Sequence, residues 1–229
     1  ASDVYKRQER QRLPIVLFAE GGGGRPGDTD QSELFHLVVP TFRNFARLSG
    51  LVPRVGIASG RCFAGNAALL GCCDVVIATP DATIGMGGPA MIEGGGLGSY
   101  SPEEVGPAAE LVEPGVIDLL VDDEAAAVAA AKQFLSYFQG DVSDWSAPDQ
   151  TELRDVIPSD VKRVHDARAV IDGLFDEGSV LELRRGFGKA MITSFARLEG
   201  RPVGVIGNDP SFLSGAIDAE ASDKAARFI

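Results

Sequence analysis

Short apolar runs, each closed by small or turn-forming residues, set the limits on what this chain can fold into. Residues 13–19 (LPIVLFA) end in Glu20 and four glycines. A run of that length with such a boundary predicts a strand buried on both faces. Between Ser32 and Leu48 the residues Leu34, Leu37, Val38, Phe42, Phe45 and Leu48 recur at helical spacing, with Ser32 as N-cap and Gly50 just past the end. Residues 54–59 form a second strand-like run, followed by Gly60 and a small-residue helix to about Gly71. Residues 75–79 form a third, closed by Pro80-Asp81. Strand, helix and strand alternating through short connections predict a parallel sheet and an α/β class.

Further on, residues 85–98 (GMGGPAMIEGGGLG) hold too much glycine for a regular element and read as a shaped loop. Residues 124–139 predict an Ala-rich helix with Val128, Phe134, Leu135 and Phe138 on its apolar side. The polar stretch 140–166, with Pro148 and Pro158, reads as a linker between domains. A helix near 168–175 follows, then a turn at Glu199-Gly200-Arg201-Pro202, a buried-type strand at 203–207 and a helix at 218–228. The first eight residues show no periodicity leading into the first strand, which suggests a non-native leader. The last helix ends without a cap, so a fragment is expected, with apolar sheet surface exposed and a tendency to aggregate.

The 229 residues carry a net charge of −12, which argues against nucleic acid, whose binding rests on Lys and Arg neutralising phosphates. No apolar run reaches the length of a membrane span, and the N-terminus lacks the apolar core of a signal peptide. Cys62, Cys72 and Cys73 are an odd number without a C-x-x-C pair. They predict a reduced, cytoplasmic setting and no zinc site.

Gly22-Gly23-Gly24-Arg25-Pro26-Gly27 satisfies G-x-G-x-x-G after a strand, but the dinucleotide reading fails on context. Residues 28–31 separate the glycines from the helix, and the next strand ends in Ala58-Ser59 instead of an acidic residue. The one Gly-Lys pair, Gly188-Lys189, is followed by Ala190, so there is no P-loop. There is no G-x-S-x-G elbow, and His36 and His165 stand beside no nucleophile. With carboxylates scattered, the chemistry must rest on backbone groups or a carried cofactor. That directs attention to residues 59–66 (SGRCFAGN), between a strand end and a helix start. Unpaired N–H groups there suit an oxyanion hole for an enolate. Small residues that merely let the helix lie on the sheet explain the same segment equally well.

At these residues the chain resembles the carboxyltransferase subunits of acetyl- and propionyl-CoA carboxylases, of the crotonase fold. The resemblance runs from about Glu9 to Ile229. It is carried by Leu13-Pro14-Ile15-Val16 with the glycine loop and Arg25, by residues 60–65 (GRCFAG), 74–79 (DVVIAT) and 84–89 (IGMGGP), and near the end by 200–205 (GRPVGV) and 221–228 (ASDKAARF). It implies two crotonase-like domains in the parent and transfer of a carboxyl group from carboxybiotin to the α-carbon of an acyl-CoA. Biotin would arrive on a carboxyl carrier, charged by a biotin carboxylase component, and the full-length protein would form a homo-oligomer. On this mapping residues 9–140 are the acyl-CoA-binding domain, 141–166 the linker and 167–229 the start of the second domain. The amides of Gly65 and Asn66, after Ala64, would hold the enolate. Gly22, Gly23, Gly24 and Arg25 would lie near the CoA, and Gly87 and Gly88 would shape the neighbouring loop. The base would be the biotin nitrogen itself, and no metal is implied.

Many members have two glycines where this chain has Gly65-Asn66, and the Asn side chain would then narrow the acyl pocket. The biotin-side oxyanion hole lies in a C-terminal domain of which only the opening is present, so the fragment is expected to be inactive alone. Two other functions stay open. One is a crotonase-type hydratase, isomerase or decarboxylase using Glu93 or Glu103 as base; the other is a non-catalytic scaffold subunit.

Overall fold

The computed structural model describes residues 2–22, 40–160 and 162–229. The chain folds into two compact units, residues 1–111 with 120–131 and residues 112–119 with 132–229.

The first unit contains α1 (Ser2–Gln11), β1 (Ile15–Phe18), α2 (Pro40–Ala46), β2 (Arg54–Ala58), β3 (Arg61–Phe63), α3 (Gly65–Gly71), β4 (Val75–Ala78), β5 (Thr83–Gly85), α4 (Pro89–Gly94) and α5 (Ala108–Leu111). Strands β1, β2 and β4 lie side by side and parallel, in register Ile15↔Arg54 and Val55↔Val75. Every residue of β2 and β4 is buried: the apolar runs 55–58 and 75–78 require it, and Arg54 at the start of β2 is buried against Asp74 at 2.6 Å. In β1, by contrast, Val16 and Phe18 are exposed. The expectation of burial on both faces fails there because β1 ends the strand order, and an outermost strand is the least covered. Residues 2–11, aperiodic in sequence, form α1, whose Tyr5 meets Phe45 of α2 edge-on at 5.2 Å between ring centres.

A second, two-stranded parallel sheet pairs β3 with β5, with Cys62 opposite Ile84. The stretch expected to run from Gly60 straight into a helix therefore holds a strand first. Three residues carry no period of their own, and pairing with residues 83–85 decides their shape. The expected loop at 85–98 also holds a helix, α4, which opens with Pro89 at its first position on Gly88. Two elements cross between the units along the chain, β6 (Leu119–Leu120) and α6 (Glu124–Ser136). In α6 the buried stripe is Ala127, Ala131 and Phe134, whereas Phe138, expected on the apolar side, is exposed.

The second unit contains α7 (Leu153–Val156), α8 (Ala167–Leu174), β7 (Leu181–Leu183), β8 (Met191–Leu198), β9 (Arg201–Asn208) and α9 (Ala219–Phe228). Strands β7, β8 and β9 form an antiparallel sheet in that order. The residues expected as a buried strand, 203–207, lie in β9, where Gly204 and Ile206 point outward. Antiparallel edge strands are covered on one face only, and β9 is such an edge. Glu199 (φ 51°) and Gly200 (φ 78°) make the two-residue hairpin, and both left-handed conformations match the twist of the strands. The buried Asp176 carboxylate accepts both amides of that turn, Glu199 N–H at 2.9 Å and Gly200 N–H at 2.7 Å. Rings of Phe134, Tyr137, Phe138 and Phe228 surround Phe195 of β8. Asp218 caps α9 by accepting the Ala221 N–H at 2.8 Å. Arg168 donates to both oxygens of Glu182 and to Asp209, and Arg184 pairs with Asp118 at 2.6 Å.

Candidate functional site

The carboxyl ends of β1 and β2 open toward β3, as ligand sites do in parallel α/β sheets. Past β1, Gly21 donates its N–H to the Arg61 carbonyl at 2.6 Å and accepts the Phe63 N–H at 3.0 Å. The start of the glycine loop is thereby laid along β3. Chain direction then reverses at Ala64, whose φ of 53° and ψ of −120° are strained for any residue with a β-carbon. That conformation is held from both sides. The Ala64 N–H reaches the Gly85 carbonyl at 3.0 Å, and the Ala64 carbonyl accepts the Ala68 N–H at 3.0 Å.

Because Ala68 makes the first intrahelical bond of α3, the amides of Gly65, Asn66 and Ala67 precede it and are unclaimed by the helix. A β-carbon at position 65 would come 3.1 Å from the Phe42 ring, which explains glycine there. The Asn66 side chain turns back toward β1: its Nδ2 donates to the Glu20 carbonyl at 2.9 Å. This is a different outcome from a side chain filling an acyl pocket. Ser59 Oγ donates to the Glu20 carboxylate at 2.6 Å.

The Gly85–Gly88 segment lines the other side. β-Carbons at positions 85 and 88 would touch the Phe63 ring at 3.6 and 3.7 Å, and one at 87 would touch Met91 at 3.8 Å. Gly22 is exposed, with open space where a side chain would stand. Ala64, Gly65 and Asn66 make the turn, Gly85 is bonded to it, Gly88 lies by the Phe63 ring and Gly87 by Met91, while Gly23, Gly24, Arg25 and His36 lie outside the described residues. His165 belongs to the second unit. Glu20, Gly21, Phe63 and Gly85 also build the site; the sequence pointed to their segments, 59–66, 85–98 and the Glu-Gly step closing the first strand, without giving these four a role.

Side-chain acid-base chemistry is poorly served here. Burial, reinforced by the nearby Glu20 carboxylate, pushes the Cys62 thiol up to about 11, which keeps it neutral at physiological pH. Glu103 takes a hydrogen bond from Arg61 at 2.5 Å, and chiefly for that reason its carboxyl titrates below its ordinary value. A carboxylate so held is a weaker base. Glu93 is exposed on α4. Among the described residues no group of three or more His, Cys, Asp or Glu is placed to hold a metal ion, and no helix is long and apolar enough to cross a membrane.

The family model for the carboxyl transferase domain matches residues 2–229. The 12S subunit of methylmalonyl-CoA carboxyltransferase from Propionibacterium freudenreichii subsp. shermanii is 35% identical over 94% of this chain and 43% of its own length. The beta4 subunit of a biotin-dependent long-chain acyl-coenzyme A carboxylase from Mycobacterium tuberculosis is also 35% identical, over 94% of this chain and 43% of its length. A solved single-chain, multi-domain long-chain acyl-CoA carboxylase superposes with a TM-score of 0.94 at 57% identity, covering 99% of this chain and 22% of that one. The chain spans less than half the length of the relatives it matches. Its fold is the mixed α/β, crotonase-like one expected from the sequence.

Proposed function

The chain belongs to the carboxyl transferase domain family, and from that premise we propose that it takes part in moving a carboxyl group from carboxybiotin to the α-carbon of an acyl-CoA. The amides of Gly65 and Asn66 receive the thioester oxygen and hold it as negative charge develops on it. Preorganised donors of this kind are worth about 10²–10³ in rate each. Gly22, Gly23 and Gly24 let the backbone approach the CoA, with Arg25 facing its negative charge, and Gly87 and Gly88 border the acyl group. Bound carboxybiotin supplies the carboxyl group, and its freed ring nitrogen the base. The biotin-side oxyanion hole is assigned to no residue of this chain, whose own part is limited to the thioester. Partners in this reading are a biotin carboxyl carrier, a biotin carboxylase component and further copies of the subunit. The reduced setting expected from Cys62, Cys72 and Cys73 makes the proposed location cytoplasmic.

The observation that carries the reading is the strained Ala64 turn, which leaves two successive amides outside the hydrogen bonds of α3. A hydratase or isomerase would need a carboxylate base, and the Arg61 hydrogen bond that lowers Glu103 weakens the better-placed candidate. The test uses Gly65→Pro, which removes the N–H at a first helical position, with Gly65→Ala as the control for the β-carbon that either variant brings to about 3.1 Å from the Phe42 ring. Infrared spectra of bound, carbonyl-labelled acetyl-CoA should show a polarised carbonyl in the parent and in Gly65→Ala. That shift should be lost in Gly65→Pro. An unshifted carbonyl in the parent would count against the enolate-holding role.

A further inference from the structure

We infer that the carboxamide of Asn66 is a positioning residue: it ties the end of β1 to the oxyanion turn and so sets the aim of the two amides. The inference rests on the acyl-CoA reading above. Its evidence is the side chain rather than the amides. Asn66 Nδ2 reaches the Glu20 carbonyl at 2.9 Å, across 46 residues of sequence. The next residue, Gly21, has φ of 109°, and a β-carbon there would stand 3.3 Å from the same Nδ2. The amide group is therefore fitted closely against the start of the glycine loop.

Geometry gives this contact a purpose. Ala64 holds a conformation that survives only where its surroundings over-determine it. Its own N–H and carbonyl fix the turn to Gly85 and Ala68. Neither bond fixes the turn relative to β1, where the glycine loop begins. Two connections do. One is the ladder of Gly21 with Arg61 and Phe63, on the strand side; the other is Asn66, on the helix side. With a glycine at 66 the helix-side connection is missing, and the Glu20 carbonyl loses its side-chain donor. An aspartate keeps the shape but places an acceptor against that carbonyl, which repels it. Substrate is held by both segments at once in the proposed site. The pair of amides therefore keeps its full alignment with the end of β1 only while Asn66 donates alongside the Gly21 ladder.

Carbonyl-labelled acetyl-CoA and free CoA distinguish positioning from bulk stability. We expect Asn66→Gly and Asn66→Asp to melt within a few degrees of the parent and to bind free CoA within about threefold of it. Both should lose most of the infrared shift of the bound thioester carbonyl, and Asn66→Gln should recover part of it. The inference is overturned if Asn66→Asp, which keeps the volume and loses the donor, shows the parental shift. It is also overturned if CoA affinity and carbonyl shift fall together with the melting temperature, since that is the signature of a structural residue. A parent chain that binds acetyl-CoA without any carbonyl shift removes the acyl-CoA reading and this inference together. A normal parental shift that persists in both variants removes the inference alone.

Discussion

The two units handle polar groups in opposite ways. Apart from Arg54, which pairs with Asp74 at 2.6 Å, the first unit keeps β2 and β4 apolar, and it presents amides that α3 does not use at one half-buried turn, around Ala64. The second takes charge inside. Arg168 joins Glu182 and Asp209, Arg184 joins Asp118, and Lys224 is fully buried with its ammonium on the Met191 carbonyl at 2.7 Å. A buried charge is tolerated only with partners in place, so the second unit gains a single well-defined arrangement at a cost in solvation. The first, in the proposed function, leaves donors for a charge that arrives with substrate. The difference teaches where chemistry belongs in such a chain: at groups left unsatisfied, rather than at its strongest ion pairs.

The most direct way to break this comparison is Arg168→Met, which strands two largely buried carboxylates. Removing one partner of a buried ionic group costs about 3–5 kcal/mol, and the lower end is expected because Arg168 is a quarter exposed. Hydrogen exchange should show protection lost in β7, β8 and β9 and kept in β2 and β4. Equal loss in both groups of strands would mean that they do not respond separately.

A smaller effect comes from pH. Burial, only partly opposed by Glu182, brings the Lys224 amine down to about 8 from 10.5. Between those values the unfolded chain carries a proton that the folded chain does not, so stability rises with pH across that window. The slope should approach about 1.4 kcal/mol per pH unit. Urea unfolding at stepped pH should show a parent stability that rises relative to Lys224→Met between pH 8 and 10, the Cys62 thiol pulling both chains the other way above pH 9. A parent and variant that run parallel across that window would contradict the assignment.

Smallest of all should be Arg61→Gln, since exposed ion pairs contribute little. NMR titration should find Glu103 moving back up toward its ordinary carboxylate range, because the Arg61 hydrogen bond is the main cause of its lowered value. The melting temperature should not change measurably. A large destabilisation would make this pair as structural as those of the second unit.

Much of the first unit was legible because its strands are continuous apolar runs. Residues 54–58 and 75–78 are buried throughout, and nothing else fits so short an apolar segment between turns. The turn at 64–66 was legible from small residues between a strand and a helix. What escaped depended on distant partners. Residues 61–63 are a strand only because they pair with 83–85, and α4 was masked by its glycines although Pro89 marked its start. Residues 191–198 showed no alternation, because Thr193 and Ser194 are as buried as Ile192 and Ala196. Within the site, the amides followed from local sequence. The reach of Asn66 to Glu20 did not, since no local pattern encodes a bond to a carbonyl 46 residues earlier.

The hairpin turn at Glu199-Gly200 has a consequence of its own. Its two neighbouring amides each donate to one oxygen of the Asp176 carboxylate, at 2.9 and 2.7 Å. The chain therefore contains, within its own interior, an anion already seated on a pair of successive backbone donors. That carboxylate is a resident stand-in for the chemistry proposed at Gly65 and Asn66. Carboxylate-stretch frequencies of Asp176, assigned by isotope labelling, would give an internal calibration of how strongly two adjacent amides in this protein pull on an oxygen's charge.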